Sequence, residues 1–239
     1  MIFSIHQPNY IPWSGYFYKI SRSDVFIYLD SVQYPRGQSF SARNQINTPN
    51  GKLLLTIPVS IEKGKEGKVT YMDVNYSDPK WRTKHLRTLE ANYKKAPYYA
   101  EVLPLIQSVL EQELSFVDNN IQIIENVCNY LGINTKRVRL SGLLENYGNK
   151  TELIVDIGKK LNADIYLSGD GGGTEYTDEQ LLAENNMKLS FTGFHHPTYK
   201  QLWTDTFVSH LSILDMLFNE GRNSMNIILD SNKTPVVTG

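Results

Sequence analysis

Residues 2–20 read IFSIHQPNYIPWSGYFYKI. The apolar run at 2–5 is typical of a buried strand, and the residues from Tyr16 onward have the spacing of a helix. Pro8 and Pro12 fix φ and remove backbone donors, which predicts a stiff connection between the two elements. Such a loop lies beyond the carboxyl end of its strand, where open α/β sheets bind ligands. This unit therefore predicts a Rossmann-like α/β fold with a binding site at that edge.

The loop carries polar and aromatic side chains that suit a bound ligand. The start of the helix would supply free N–H groups, and Gly15 would allow a phosphate or a ring to approach the backbone. The predicted substrate-binding residues here are Gln7, Asn9, Tyr10, Trp13, Gly15 and Tyr16. The alternative is structural: Trp13, Phe17 and Ile20 would form a core stripe, and His6 would only hydrogen-bond the turn.

A second apolar run at 25–29 predicts another strand, with Asp30 at its carboxyl end. Two strands joined by a short helix form a βαβ unit, so we expect them to lie parallel in one sheet. His6 and Asp30 would then share an edge, where an imidazole and a carboxylate can form an acid-base pair or bind a sugar hydroxyl. Asp30 could instead cap the turn that follows it.

A hairpin is predicted after these strands. Alternating residues at 38–46, a turn at 48–51 and a strand at 52–59 form its two arms. Arg43 and Asn44 on the first arm suit the bidentate recognition of a phosphate or a carboxylate. As an alternative, they would simply lie on a solvated strand face.

Helices dominate the next part of the chain. A further strand at 70–76 is followed by helical patterns at 80–94, 98–112 and 115–131, the last one capped by Ser115. Three consecutive helices between strand regions predict a helical bundle inserted over residues 78–132.

The second half of the chain alternates helices and strands again, which favours a mostly parallel sheet. A helix at 149–161 precedes a buried strand at 163–168, and the glycine-rich segment 169–176 follows that strand. Backbone N–H groups of such a segment can surround an anion, but Asp170 and Glu175 would repel phosphate, so sugar hydroxyls or an amine are equally suitable ligands. The predicted ligand-binding residues here are Ser168, Gly169, Gly171 and Gly172.

Another pair of polar residues, His195 and His196, follows the last predicted strand. Adjacent histidines in an extended segment point to opposite sides, so we do not expect them to bind one metal ion. One of the two would face the cleft, and no metal site is predicted. The loops expected to meet at one edge of the parallel sheet are 6–15, 168–176 and 194–199.

Composition excludes several classes of function. Twenty-four basic and 25 acidic residues give a net charge of -1, which argues against a duplex nucleic acid partner. No apolar run of membrane-spanning length and no charged leader occur, so membrane insertion is not expected. The lone Cys128 cannot form an internal disulfide and indicates a reducing cytoplasm. We expect a single α/β domain over 1–239 with a loose tail at 230–239.

Several distinct short motifs are spread along nearly the whole chain. They are His6-Gln7-Pro8-Asn9-Tyr10, Pro12-Trp13-x-Gly15-Tyr16-Phe17, Arg43-Asn44-x-Ile46, Asn149-Lys150-Thr151-Glu152, Tyr166-Leu167-Ser168-Gly169, His196-Pro197-x-Tyr199 and Leu211-Ser212-x-Leu214-Asp215. Together they resemble the WbqC-like proteins, which occur in bacterial surface-polysaccharide gene clusters. The resemblance favours His196 over its neighbour as the residue in the cleft and adds Lys150 and Tyr199 to the predicted substrate-binding residues.

This resemblance implies an enzyme that modifies a nucleotide-linked amino sugar for O-antigen or related polysaccharide biosynthesis, by acyl or aminoacyl transfer, for example of a glycyl group. The expected partners are a nucleotide sugar and an acyl or aminoacyl donor, with no further cofactor. In the implied reaction, His6 or His196 takes the proton of the sugar amine and Asp30 orients the imidazole. Backbone donors of the glycine-rich segment would stabilise the oxyanion.

Two other functions stay open. One is a non-catalytic protein that binds or assembles sugar nucleotides. The other is nucleotidyl transfer, because the opening is similar to the nucleotidylyltransferase-type fold, whose motif places two histidines around a glycine at the helix start. Trp13 and Tyr16 occupy those places here, and neither can carry a positive charge toward a transferring phosphoryl group. Nucleotidyl transfer would therefore need an atypical mechanism.

Overall fold

The centre of the fold is a parallel sheet of five strands in the part of the chain that the structure describes, residues 1–35, 37, 39–61, 69–171 and 177–233. The structure is a computed structural model. The strands along the chain are β1 (Ile2–His6), β2 (Val25–Tyr28), β3 (Arg43–Thr48), β4 (Gly51–Thr56), β5 (Val59–Ser60), β6 (Asn75–Tyr76), β7 (Lys136–Arg139), β8 (Ile165–Ser168) and β9 (Lys188–Phe191). Strands cross the sheet in the order β7-β2-β1-β8-β9, so the direction of winding reverses between β1 and β8. This is Rossmann-like order, and it confirms the predicted fold class.

Helices flank the sheet because its strand residues alternate between two hydrophobic cores. Val25 and Ile27 of β2 belong to the core on one face, whereas Phe26 and Tyr28 belong to the core on the other face. The helices are α1 (Ser14–Ser21), α2 (Trp81–Tyr93), α3 (Tyr99–Leu110), α4 (Phe116–Leu131), α5 (Leu140–Leu143), α6 (Thr151–Leu161), α7 (Glu179–Glu184), α8 (Ile213–Glu220) and α9 (Ser224–Asp230). Helix α6 packs on the first core, and α1, α4 and α8 pack on the second.

The predicted hairpin and inserted helices lie between β2 and β7. Strands β3 and β4 pair antiparallel with Thr48 opposite Gly51, and Gly51 has a φ of +92°, which glycine adopts without strain. Helix α3 packs against α2 and α4, and the backbone N–H of Asp118 donates to Ser115 Oγ over 3.2 Å as the cap of α4. The three helices therefore form a connected layer over the second core.

One predicted strand has a different structure. Residues 70–76 form a short 3-10 helix at Tyr71–Asp73 followed by the two-residue strand β6. Asp73 Oδ2 accepts hydrogen bonds from the backbone N–H and the hydroxyl of Thr70, at 2.8 and 2.7 Å. These bonds close a local turn, so only the end of the segment is extended.

Helix α9 is the last helix among the described residues. It continues through Asp230, the first residue of the predicted tail, and residues 234–239 of that tail lie outside the described residues. Cys128 is a buried free thiol in α4, and burial raises its pKa to about 12. Within the described ranges, no helix combines the length and the apolar character that crossing a membrane requires.

Candidate functional site

A cavity of about 750 Å³ lies at the carboxyl ends of β1 and β8. This is the point at which the order of strands reverses, where the loops after the two strands diverge and leave a crevice. Of the residues predicted from the sequence, those that line it are His6, Gln7, Trp13, Gly15, Tyr16, Ser168, Gly169 and Gly171. The structure therefore brings the loop after β1 and the start of the glycine-rich segment together.

Distant parts of the chain hold the backbone of the loop after β1. Asn44 Nδ2 donates to the carbonyl oxygen of Ile11 over 2.8 Å, and Asn120 Nδ2 donates to that of Pro8 over 2.9 Å. The backbone N–H of Ile213 donates to the carbonyl oxygen of Pro12 over 2.8 Å. Ile11 has a φ of +38°, an uncommon conformation for a branched residue, which these neighbours stabilise. The loop is thus fixed by tertiary contacts as well as by its prolines.

His6 is neutral in this site. Its Nδ1 lies 3.0 Å from the carbonyl oxygen of Gln7, which can only accept, so Nδ1 carries the hydrogen and Nε2 carries the lone pair. Burial and the charge of Lys19 lower the pKa of His6 to about 3, against the opposing effect of the bond to Gln7. The hydroxyl of Tyr16 donates to the same carbonyl over 3.1 Å, and its ring lies 4.8 Å from the imidazole. Nε2 is therefore a hydrogen-bond acceptor at neutral pH.

Lys19 lines the same cavity, although it is not among the predicted site residues. Its side chain is 7% exposed, and Nζ donates to the carbonyl oxygen of Ile5 over 3.0 Å. Burial lowers the pKa of this ammonium group to about 7. The signal for it was the spacing from Gly15, because residues four apart lie on one face of a helix.

Gly15 makes room for a side chain of the protein rather than only for a ligand. A Cβ atom at this position would lie 2.7 Å from the indole of Trp13 and 3.1 Å from the ring of Phe194. The Trp13 and Phe194 rings meet edge to face, with 5.2 Å between their centroids. The glycine thus allows the indole to lie flat against α1 and to form an aromatic wall of the cavity.

Asp170 joins the loops that follow β8 and β9. Its carboxylate accepts from Thr192 Oγ1 over 2.6 Å and from the backbone N–H groups of Gly193 and Phe194, each over 2.9 Å. Burial alone would raise the pKa of Asp170, but these hydrogen bonds together hold it below its usual value. This carboxylate is a fixed anion whose oxygens are engaged by the protein. Gly172, the remaining predicted residue of the segment, lies outside the described residues.

The predicted pair of Asp30 and His6 is not formed. Asp30 is fully buried, and its carboxylate accepts from the backbone N–H and the hydroxyl of Ser141, at 3.0 and 2.6 Å. The imidazole of His6 is held instead by the carbonyl of Gln7. Asp30 therefore holds the start of α5, which corrects its predicted role of orienting the imidazole.

His196 lies behind the aromatic wall rather than in the cavity. Its Nδ1 donates to the carbonyl oxygen of Pro197 over 2.9 Å, and its Nε2 accepts from the backbone N–H of His210 over 3.2 Å. The ring stacks on Trp13 with 6.2 Å between centroids. Because both nitrogens have backbone partners, His196 is placed to support Trp13 rather than to take a proton from a substrate.

Six other predicted residues also lie away from the lining. Asn9 Oδ1 accepts from Ser41 Oγ over 3.3 Å, and the buried Tyr10 hydroxyl bonds His85 Nδ1 over 2.8 Å. The Tyr199 hydroxyl donates to the buried Asp215 over 2.9 Å. The remaining positions are Arg43, at the start of β3, Asn44, which supports the loop after β1, and the exposed Lys150, which precedes α6. These residues position the loops or lie at their edge.

Chemically, the cavity combines aromatic walls with polar side chains. Tyr16 and Tyr166 have pKa values raised by burial, so their hydroxyls stay neutral. Besides Lys19, the other lining residues outside the predicted set include Tyr166, Asp170, Thr192 and Phe194. Among the described residues, no group of three His, Cys, Asp or Glu side chains is placed to hold a metal ion.

Comparison with known proteins identifies the family. The chain matches the model of the WbqC-like protein family over residues 7–227. It is 34% identical over 221 residues to the uncharacterized protein Rv1507c of Mycobacterium tuberculosis (strain ATCC 25618 / H37Rv). The alignment covers 91% of this chain and 93% of the relative. No solved structure matches the chain. The family match extends over the loop after β1, the glycine-rich segment and the inserted helices. The chain therefore belongs to the WbqC-like protein family.

Proposed function

We propose that this protein is a transferase that attaches an acyl or aminoacyl group, such as glycyl, to the amine of a nucleotide-linked sugar for bacterial surface-polysaccharide biosynthesis. The observation that carries the proposal is the cavity at the reversal of strand order, where the neutral imidazole of His6 meets aromatic walls. Membership of the WbqC-like family supports the class of substrate. The cytoplasm, where nucleotide sugars are used, is the proposed location.

The size and the lining of the cavity suit a nucleotide sugar. A volume of about 750 Å³ lies within the usual range of small-molecule sites. The rings of Trp13, Tyr16 and Phe194 offer flat apolar surfaces for a base or for the apolar face of a sugar. Gln7 and Ser168 add polar atoms at the same cavity. Such a combination binds a ring by stacking and fixes its orientation by hydrogen bonds.

In the proposed reaction, the amine of the sugar attacks the carbonyl carbon of the acyl donor. A C–N bond forms, and the carbonyl electrons move to oxygen, where backbone donors of residues 169–171 would stabilise the oxyanion. His6 Nε2 takes a proton from the nitrogen. When the carbonyl re-forms, the bond to the carrier breaks, and the carrier leaves with its electron pair and the proton from His6. The products are an amide and the free carrier.

The low pKa of His6 is compatible with this role when substrate is bound. In the empty protein, burial and Lys19 disfavour the imidazolium, so Nε2 is unprotonated and able to accept. An anionic substrate in the cavity would raise the pKa of His6, because an opposite charge stabilises the protonated form. Proton transfer would then be favoured only in the complex.

Replacement of His6 tests the assignment. We expect His6→Gln to bind the nucleotide sugar but to lower turnover by roughly 10²-fold or more, since a glutamine cannot take the proton. The measurement is amide formation by mass spectrometry with a nucleotide amino sugar and candidate acyl donors. His195→Gln is the matched control because His195 is exposed and its Nδ1 bonds the carbonyl of Gly193. Turnover that is equal in His6→Gln and His195→Gln would remove His6 from the reaction.

The same low pKa also favours a second candidate, a non-catalytic protein that binds sugar nucleotides. A histidine that stays neutral can accept a hydrogen bond from a ligand without any proton transfer. This function predicts tight binding with no product for every acyl donor, and only a modest loss of affinity in His6→Gln. The assay above therefore separates the two candidates.

A further inference from the structure

The amine of Lys19 is buried at the cavity. Its side chain is 7% exposed, and the contact found for Nζ is the carbonyl oxygen of Ile5 at 3.0 Å. Across the described ranges, with their gaps at 36, 38, 62–68, 172–176 and 234–239, no carboxylate lies within ion-pair distance of this ammonium group. A buried charge is costly unless an opposite charge compensates it. The cavity therefore contains an ammonium group whose hydrogen-bond partner is a single backbone carbonyl.

None of the other described groups that line the cavity forms an ion pair with Lys19. His6 on β1 is neutral, and the hydroxyls of Tyr16 on α1 and Tyr166 on β8 stay protonated because burial raises their pKa values. Asp170, after β8, is a second charged group in the lining, but its oxygens accept hydrogen bonds from Thr192 and two backbone N–H groups and lie beyond ion-pair distance of Lys19. Each of these groups keeps one charge state between pH 6 and pH 9. Among the described residues that line the cavity, Lys19 is the group whose pKa, about 7, falls in this range.

The position of Lys19 also suits an anion bound in the crevice. It follows Gly15 by one turn of α1, and both residues line the cavity together with Trp13 at the start of the helix. The amino-terminal end of a helix carries a partial positive charge, which adds to that of the ammonium group. An anionic group placed here would face two positive features of the same element.

We propose that Lys19 binds the diphosphate of a nucleotide sugar and that it takes up a proton when this anion binds. The inference rests on the proposed function for the class of ligand but not for the acyl transfer. A bound phosphate stabilises the charged form of the lysine and offsets its burial. An ammonium group that is half deprotonated in the empty protein would then become fully protonated in the complex.

A definite pH dependence follows. In the empty protein, Lys19 loses its proton as the pH rises through about 7, the value to which burial lowers its pKa. At pH 6 the group is already protonated, so binding takes up almost no proton. At pH 8 most molecules have a neutral Lys19, so binding takes up close to one proton and the affinity is lower. Affinity should therefore fall as the pH rises from 6 to 9.

The test is isothermal titration calorimetry with UDP-, CDP-, GDP- and dTDP-linked glucose. Both phosphates of these probes are diesters and do not titrate between pH 6 and pH 9. Titrations in two buffers with different ionisation enthalpies give the number of protons taken up. We expect close to one proton at pH 8 and almost none at pH 6 for the probe that binds most tightly.

The matched variants are Lys19→Gln and Lys159→Gln. Glutamine at position 19 can still donate to the carbonyl of Ile5 but carries no charge, so the fold should be kept, as circular dichroism can check. We expect Lys19→Gln to weaken binding roughly tenfold or more at pH 6 and to abolish proton uptake at pH 8. Lys159 is exposed in the last turn of α6, and its variant should behave as wild type.

Three results would overturn the inference: no binding of any probe at millimolar concentration, binding without proton uptake by the wild type at pH 8, or unchanged affinity in Lys19→Gln. The proposed acyl transfer fails separately. If binding and proton uptake occur but no donor gives a product, the role of Lys19 stands and the transferase assignment is lost. If His6→Gln loses turnover while Lys19→Gln binds normally, the transferase assignment stands and the role of Lys19 is lost.

Discussion

Gly15 shows how a single missing side chain shapes the cavity. The indole of Trp13 occupies the space that a Cβ at this position would need, 2.7 Å away. Since real Cβ contacts are almost never so short, the indole must move when a methyl group is added. The flexible end of a side chain can do this without unfolding the protein. The effect should therefore appear in ligand binding before it appears in stability.

We predict that Gly15→Ala weakens the binding of a nucleotide sugar several-fold while leaving the free energy of unfolding unchanged or higher by up to about 1 kcal/mol, because alanine favours a helix over glycine. Titration of tryptophan fluorescence and urea denaturation measure the two quantities. Gly142→Ala in α5 is the control, since a Cβ there meets no atom within 4 Å. Equal affinity in the two variants would show that the position of Trp13 does not matter for binding.

A second prediction concerns the protonation state of His6. Its pKa of about 3 means that the imidazole stays neutral, with hydrogen on Nδ1, throughout the physiological range. Nitrogen-detected NMR of the ring should show this tautomer from pH 8 down to about pH 4 in the protein without ligand. Titration with a midpoint near 6.5, the ordinary value for histidine, would contradict the burial of His6 described above.

At the scale of elements, side chains from distant segments fix the loops of the site. Asp215 in α8 accepts hydrogen bonds from the Tyr93 hydroxyl of α2 at 2.7 Å, and from Tyr199 and Gln201 at 2.9 Å each. Burial raises the pKa of this carboxyl group, and the three donors oppose that effect. The segment after β9 is thereby attached to the helical layer.

Removal of this acceptor should be costly. We expect Asp215→Ala to lower the free energy of unfolding by about 3–5 kcal/mol, because it leaves buried donors without a partner. Urea denaturation measures it. Asp230→Ala, at the exposed end of α9, should change stability by less than about 1 kcal/mol, although Asp230 pairs with Lys233. If Asp215→Ala lowered the free energy of unfolding by as little as Asp230→Ala does, the three hydrogen bonds would not be what holds the segment after β9.

The contact between the loop after β1 and α2 has a pH dependence. His85 is buried against Tyr10, and burial lowers its pKa to about 4 from the ordinary 6.5. Between these values the unfolded chain binds more protons than the folded one. This contribution to stability is therefore complete above pH 6.5 and is lost as the pH falls toward 4.

We predict that, between pH 7 and pH 5, the wild type loses about 2 kcal/mol more stability than His85→Gln does. The measurement is urea denaturation of both proteins at the two pH values. Glutamine keeps a polar partner for Tyr10 but cannot be protonated, so it isolates the titration. An identical loss in both proteins would assign the acid sensitivity to other groups, such as His6.

The elements themselves were largely predictable from the sequence, whereas their contacts were not. Apolar runs gave the strands, and the cap at Ser115 gave the start of α4. The sequence pairs Asp30 with His6 because both end parallel strands, but the actual partner of Asp30, Ser141, lies 111 residues away. Lys19 is not among the predicted site residues, because a charged residue on a helix usually faces solvent. A sequence pattern predicts which face of a helix or strand is buried, but only the three-dimensional structure shows which residues that face contacts.

At the scale of the whole molecule, loops from distant parts of the chain converge at the carboxyl edge of the sheet. The loop after β1 and residues 169–171 line one cavity, as the parallel order of the strands predicts. Of the third predicted loop, residues 194–199, only Phe194 lines the cavity. The His196 ring instead accepts from the backbone N–H of His210, and the Tyr199 hydroxyl donates to Asp215 of α8. Convergence was predictable from topology, but the depth to which each loop enters the cavity was not.

A crystal structure of the protein with the nucleotide sugar that binds most tightly would locate the ligand. We expect electron density for it between β1 and β8, with the diphosphate near Lys19 and a ring against Trp13. A ligand bound elsewhere, for example in the groove between α3 and α4 beside Arg222, with no density in the cavity at β1 and β8, would show that this cavity is not the binding site.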